Sequence, residues 1–264
     1  MSPRTGGTGG YRYLVSAVLR REVVIFLRYP ANAVGLVIVN LLFFSVIFVG
    51  GTMLAGEAMA DSIEGIIVGY LLWMMATTSY QGVVRDVQSE ASWGTLERHF
   101  ITPFGFPMVM ASKAVAKLVF TFLYATVILV AMLLITRTML YIDVVTVVPI
   151  LLLALASVFG VGFAMAGVTV LYKNISSWTG LVNFAIVGLV AAPEFELGWT
   201  TLLPLVQGSA MLQLAMRDGV RLWQFDPVHL LVLAVAGVGY LLLGYVVFHR
   251  CQQRARKLGT LGDY

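Results

Sequence analysis

Charge is the scarcest commodity in this 264-residue chain: Asp, Glu, Lys and Arg make up 11% of it, against roughly 25% in an ordinary soluble domain. So few charges cannot coat a soluble domain of this length, and with 59% hydrophobic residues the chain reads as a membrane protein. Cysteine is nearly absent. The single one, Cys251, excludes an intramolecular disulfide framework and any cysteine-only zinc site. Histidine is confined to His99, in a charged loop, and to His229 and His249, at opposite ends of one apolar stretch, so no metal site is expected. The lysines, Lys113, Lys117, Lys173 and Lys257, follow Ser, Ala, Tyr and Arg. The chain therefore lacks the Gly-Lys-Ser/Thr of a phosphate-binding loop, and with it an ATPase site of its own.

Other absences narrow the field further. The net charge of +4 raises nucleic acid, yet the basic residues form no stripe with interleaved aromatics, and no nucleic-acid partner is expected. Serines and threonines in the apolar stretches have no His or Lys at similar depth to serve as a base, so no catalytic residue is expected either.

What is present is a series of apolar stretches. At about 20 residues per bilayer crossing, six segments qualify: 32–54, 63–84, 111–135, 144–172, 178–192 and 229–248. The fifth is short and the fourth long, with Pro149 placed to bend it. Gly160, Gly162, Ala164, Ala166 and Gly167 give the fourth a small-residue surface suited to close helix approach. Residues 1–264 read as one membrane domain. Ala58-Met59-Ala60 mimics a signal-peptide cleavage site, but the apolar run before it is too long and starts too late.

Basic residues set the expected orientation. Arg4, Arg12, Arg20, Arg21, Arg28, Arg85, Arg98, Lys113, Lys117, Lys173, Arg250, Arg254, Arg256 and Lys257 fall on one side of a six-span arrangement. Only Arg137, Arg217 and Arg221 fall on the other, where Glu57, Asp61, Glu64, Asp143, Glu194, Glu196, Asp218 and Asp226 gather. This predicts a multi-pass protein of the cell membrane with both termini cytoplasmic.

Ahead of the first span, residues 11–28 predict a helix that Pro30 stops. Leu14, Val18 and Ile25 share one side, while Arg12, Arg20, Arg21 and Arg28 spread over the rest and Glu22 intrudes on the apolar side. Such an amphipathic helix can lie in the headgroup layer with its arginines toward lipid phosphates. Residues 193–228 are too apolar for an external loop, and Pro204 and Gly208 interrupt them. Two short helices dipping into the outer leaflet, or a single interfacial helix, would satisfy the backbone there. No internal repeat of the inverted-repeat transporter kind is visible.

The charged, glycine-broken segment 85–107 stands out between two apolar spans. Asp86, Glu90 and Glu97, at spacings of four and seven, share one helical face, with Trp93 near it. An acidic face carrying an aromatic knob suits a protein contact; a solvated loop whose charges serve topology alone is the plainer alternative. Gly94 would cost about 1 kcal/mol against alanine inside a helix, so it reads as a turn aiming Thr95, Leu96 and Glu97 separately. Thr102-Pro103 ends the helical pattern.

Glu90, then Gly94-Thr95-Leu96-Glu97, then Thr102-Pro103 ahead of a third apolar span resembles the cytosolic loop of ABC-2 type transporter permeases. These are membrane subunits of ATP-driven exporters of drugs, polysaccharides or glycolipids. The resemblance extends over nearly the whole chain, including Leu203-Pro204-Leu205 and the Leu214 to Arg217 stretch, and departs at Ser92-Trp93, where the family commonly has a basic residue. It implies an all-α membrane protein: six transmembrane helices, an N-terminal amphipathic interface helix, a cytosolic coupling helix, and short re-entrant external helices before the last span. It also implies a permease subunit moving an amphipathic or lipid-like substrate, with Glu90, Trp93, Gly94, Thr95, Leu96 and Glu97 docking onto an ABC ATP-binding subunit present in two copies. ATP and Mg belong on that subunit, leaving no cofactor on this chain. A second permease copy or a related subunit would pair through the first and fifth spans, which places Asn40 and Asn183 near that interface.

Polar residues at membrane depth raise a functional question. Asn40, Thr77, Thr78, Gln81 and Asn183 either bond between helices or line a sparse substrate path or dimer interface. No charge is expected deep in a span, which disfavours a proton relay. An ATP-independent secondary transporter or channel is the alternative, and a membrane-bound enzyme comes third for want of a converging acid, base or metal set.

Overall fold

The computed structural model describes residues 8–55, 63–92, 106–172, 176–191 and 198–258. Among them every regular element is helical: α1 (Thr8–Arg28), α2 (Pro30–Ala55), α3 (Ile63–Ser92), α4 (Phe106–Thr136), α5 (Val144–Tyr172), α6 (Ser176–Ala191), α7 (Val206–Arg217) and α8 (Pro227–Leu258). Short 3-10 turns at Trp199–Leu202 and Leu222–Gln224 flank α7.

Four of these are long and apolar enough to cross a membrane: Pro30–Met53, Val109–Thr136, Val144–Tyr172 and Pro227–Ala255. They match the first, third, fourth and sixth stretches expected from the sequence. The other two differ for separate reasons. α6 has 16 residues, about 24 Å of helix against a hydrocarbon core of roughly 30 Å. α3 has length to spare at 30 residues, but Glu64, Thr77, Thr78, Ser79, Gln81 and Arg85 dilute its apolar character. It is a central helix, with Ile67, Leu72, Met75, Tyr80 and Val87 buried among its neighbours, so little of it needs to suit lipid.

The break between α1 and α2 falls where expected. Tyr29 donates its amide to the Ile25 carbonyl at 3.0 Å, and Pro30 then opens α2 at the position where a missing N–H costs nothing. α5, by contrast, runs unbroken through Pro149, which sits in its second turn.

Helix directions follow from the contacts. Along α5 and α8, Leu153 lies against Gly237, Gly160 against Tyr240 and Gly244, and Gly167 against Phe248, so the two run parallel. Gly162 of α5 sits against Tyr80 and Val83 of α3. The starts of α3 and α5 also meet at one end, because Arg217 reaches Glu64 at 4.0 Å while Tyr141 donates its amide to Met216 at 2.8 Å. α3, α5 and α8 therefore share one direction. α4 runs against α3, since Asp86 pairs with Lys117 and Glu90 with Lys113.

Among the described residues, the α5–α8 pair makes the closest backbone approach. A Cβ added at Gly160 or Gly244 would overlap the backbone of the facing helix, and one at Gly237 would come within 2.5 Å of the Leu153 carbonyl. Glycine is required there because only bare backbone fits at that separation. Gly208 corrects a sequence expectation. It does not break the chain but lies inside α7, where the missing side chain lets the helix settle onto Ala154. α7 is held between α5, α3 and α8, with Gln207, Ser209, Met211, Leu212 and Met216 buried.

Candidate functional site

The end of the α3–α4 pair is built from opposite charges at helical spacing. Asp86 and Glu90 lie one turn apart on α3, Lys113 and Lys117 one turn apart on α4, and antiparallel packing sets them opposite one another. Lys117 Nζ lies 2.7 Å from Asp86 Oδ1 and also donates to the Gly82 carbonyl. Lys113 Nζ pairs with Glu90 Oε1, and both side chains are about nine-tenths buried. The outcome differs from an acidic face turned outward: Asp86 and Glu90 face lysines of their own chain. Both lysines also fall within the candidate span Val109–Thr136, so charge does enter the bilayer-length part of the molecule, in paired form.

Trp93, Gly94, Thr95, Leu96 and Glu97 lie outside the described residues, as does His99. The ion pairs stand at the two helix ends that this segment joins.

The polar residues expected at membrane depth occupy separate places. Asn40 of α2 donates to the Tyr124 hydroxyl at 2.9 Å, and the Tyr70 hydroxyl donates to the Asn40 carbonyl at 2.7 Å. One residue thus ties α2 to α3 through its backbone carbonyl and to α4 through its side chain. Around it Phe43, Phe44, Tyr70 and Trp73 form an aromatic cluster with ring centroids 5.4 to 6.4 Å apart. Thr78 is exposed, while Gln81 accepts from Arg85 one turn on. Thr77 Oγ1 and Asn183 Oδ1 are enclosed without a hydrogen-bond partner. Among the described residues no hydrogen bond joins Asn40, Thr77, Gln81 and Asn183 to one another, so they form no single polar lining.

On α1, Arg20, Arg21 and Arg28 are exposed, and Arg12 lies in its first half. Arg21 comes 3.5 Å from Glu22, which answers the acidic intrusion on that face. Phe26 packs on Phe120 of α4 at 6.2 Å, while Val23, Val24, Ile25 and Leu27 stay exposed around the helix. The second half of α1 is therefore apolar on more than the one side that the wheel predicts.

At the opposite end of the bundle His229 meets Gln207 at 3.0 Å, whereas His249, at the ladder's own end of α8, meets Gln253 at 2.9 Å. Among the described residues no group of His, Cys, Asp and Glu could hold a metal.

Tyr70, Tyr124, Lys113 and Lys117 are the residues that the sequence reading passed over as site members. The lysines carried a usable signal, a spacing of four that matches Asp86 and Glu90 once the helices are set antiparallel. Comparison with protein-family models, with curated proteins and with solved structures found no match to this chain.

Proposed function

We propose that this chain is the permease subunit of an ATP-driven ABC exporter, moving an amphipathic or lipid-like substrate while a separate subunit hydrolyses ATP. The observation that carries the reading is the α3–α4 ion-pair ladder at the foot of residues 93–105. A segment resembling the ABC-2 coupling loop joins two helices that are clamped together beside it. Force applied to such a loop moves α3 and α4 as one body, and α3 is central to the bundle.

Six crossings fit the helix directions better than four. α5 ends at one end of the bundle and α8 begins at the other, running parallel, which supports a return crossing by the chain between them. α6 makes that return, with α7 and its flanking turns completing the depth that 16 residues lack. The same argument makes α3 a crossing between α2 and α4. With the basic residues on the side of the α3–α4 ladder, that side is cytosolic. α2 and α6 present the exposed faces, Leu36, Val39, Phe43 and Val46 on one and Trp178, Leu181 and Phe184 on the other, on which a second permease copy would seat.

The test is purification of the tagged chain from its native host in mild detergent. An ATP-binding subunit should co-purify in equal number, and Glu97→Lys should leave insertion intact while uncoupling ATP hydrolysis from export. Absence of any ATPase partner together with unimpaired export by Glu97→Lys would overturn the reading. A second reading, ion-coupled transport without an ATPase, draws on the buried Glu90–Lys113 pair. It requires proton flux through the purified chain alone that Glu90→Gln abolishes.

A further inference from the structure

α4 and α5 follow one another in the chain, yet α5 packs on α3, α7 and α8 while α4 packs on α3, α1 and α2. Between them lies a groove of about 200 Å³, open to the side, with α8 contributing to its lining. Ala111, Ala114 and Leu118 form one wall, Leu152, Ala156 and Phe163 the other. The spacings, three and four residues on α4 and four and seven on α5, put each set on one helical face. The alanines give the groove its width, because a larger side chain at any of them would stand in it.

Its dimensions match half a bilayer. Residues 111–118 rise about 10 Å and residues 152–163 about 16 Å, against roughly 15 Å for half of the hydrocarbon core. Both walls belong to helices long and apolar enough to span a membrane. Water has almost nothing to bond in such a lining, and an empty groove would forfeit dispersion contacts along both walls. A polymethylene chain fills an irregular apolar slot one leaflet deep without leaving a polar group unpaired.

We infer that the α4–α5 groove is a binding site for one acyl chain of a bilayer phospholipid, held from the leaflet at the end where α4 begins. The lipid is a fixed part of the folded protein, and the inference rests on α4 and α5 crossing the membrane, not on an ATPase partner.

The experiment uses the full chain in phospholipid vesicles containing a phosphatidylglycerol with a photoreactive diazirine midway along one acyl chain, followed by peptide mapping. Residues 111–118 and 152–163 should be labelled several-fold more heavily than the lipid-facing side of α2, and the labelled lipid should survive detergent purification. Ala114→Trp should reduce groove labelling several-fold and leave α2 labelling unchanged; Ala156→Leu, a smaller change that keeps the chain folded if the tryptophan does not, should reduce it partly. Groove labelling equal to that of α2, or unaffected in both variants, overturns the site, as does cross-linking of these peptides to a second copy of the chain. If instead the helices did not span the bilayer, α2 would be unlabelled as well, which separates that failure from this one.

Discussion

α5 and α2 are almost equally apolar, yet over an 18-residue apolar stretch of each, 56% of α5 is buried in the molecule and only 6% of α2. The comparison separates two properties that hydropathy merges. Apolar character suits a helix to lipid; whether it also packs on its own chain depends on the small residues that let another backbone approach. α5 sets Gly160 against Tyr240 and Gly244 of α8 and Gly167 against Phe248, while Gly237 of α8 meets Leu153, so close-approach glycines recur seven residues apart on both helices. α2 has glycines too, but Gly35 and Gly50 have nothing within 4 Å of where a side chain would go. The α5–α8 pair is a rigid spine, and α2 is attached to the bundle chiefly through Asn40 and its aromatic neighbours.

The sharpest way to break that contrast is Gly244→Leu. The new side chain would overlap the Gly160 backbone and force the spine apart, a loss of more than about 4 kcal/mol. It should appear as failure to recover monodisperse protein from detergent. Lys113→Met should come next. Removing one partner of a buried ion pair costs about 3–5 kcal/mol, whereas Lys113→Met with Glu90→Met together should recover most of it; thermal midpoints of the three variants decide. If the double variant were as unstable as the single one, the ladder would not be the brace described above.

Asn40→Leu removes the side-chain tie from α2 to Tyr124 of α4 and leaves the Tyr70 bond to the residue-40 carbonyl, and interhelical hydrogen bonds in membranes are worth about 0.6–2 kcal/mol. The expected result is a small drop in thermal midpoint with a large rise in cross-linking or protease access along α2. Gly35→Ala should change stability by less than about 0.5 kcal/mol. A loss comparable to that of Gly244→Leu would show that the face of α2 around Gly35 is already covered, most simply by a second copy.

Much of the fold was legible because apolar length and the placement of arginine and lysine carry it. The α1–α2 break at Pro30, the extents of α2, α4 and α5, and the apolar segment before α8 follow from local pattern alone. What was not legible depends on partners distant in sequence. Tyr70 and Tyr124 lie 30 and 84 residues from Asn40, and no spacing rule links them. Asp86 and Glu90 were readable as one helical face, but not whether that face met another protein or the next helix. Gly208 and Gly94 have the same local signature of a helix breaker. At Gly208 the close approach of Ala154 reverses the expectation, which shows how tertiary contact overrides propensity.

The shared direction of α5 and α8 also constrains how the protein is made. α5 is synthesised first and cannot find its glycine-matched neighbour until α6 and α7 have been laid down and the chain has turned back. Until then its backbone-rich surface faces lipid or a chaperone. The spine thus closes after the other described helices are in place, and a chain interrupted before Pro227 would hold those helices while lacking the one that locks them.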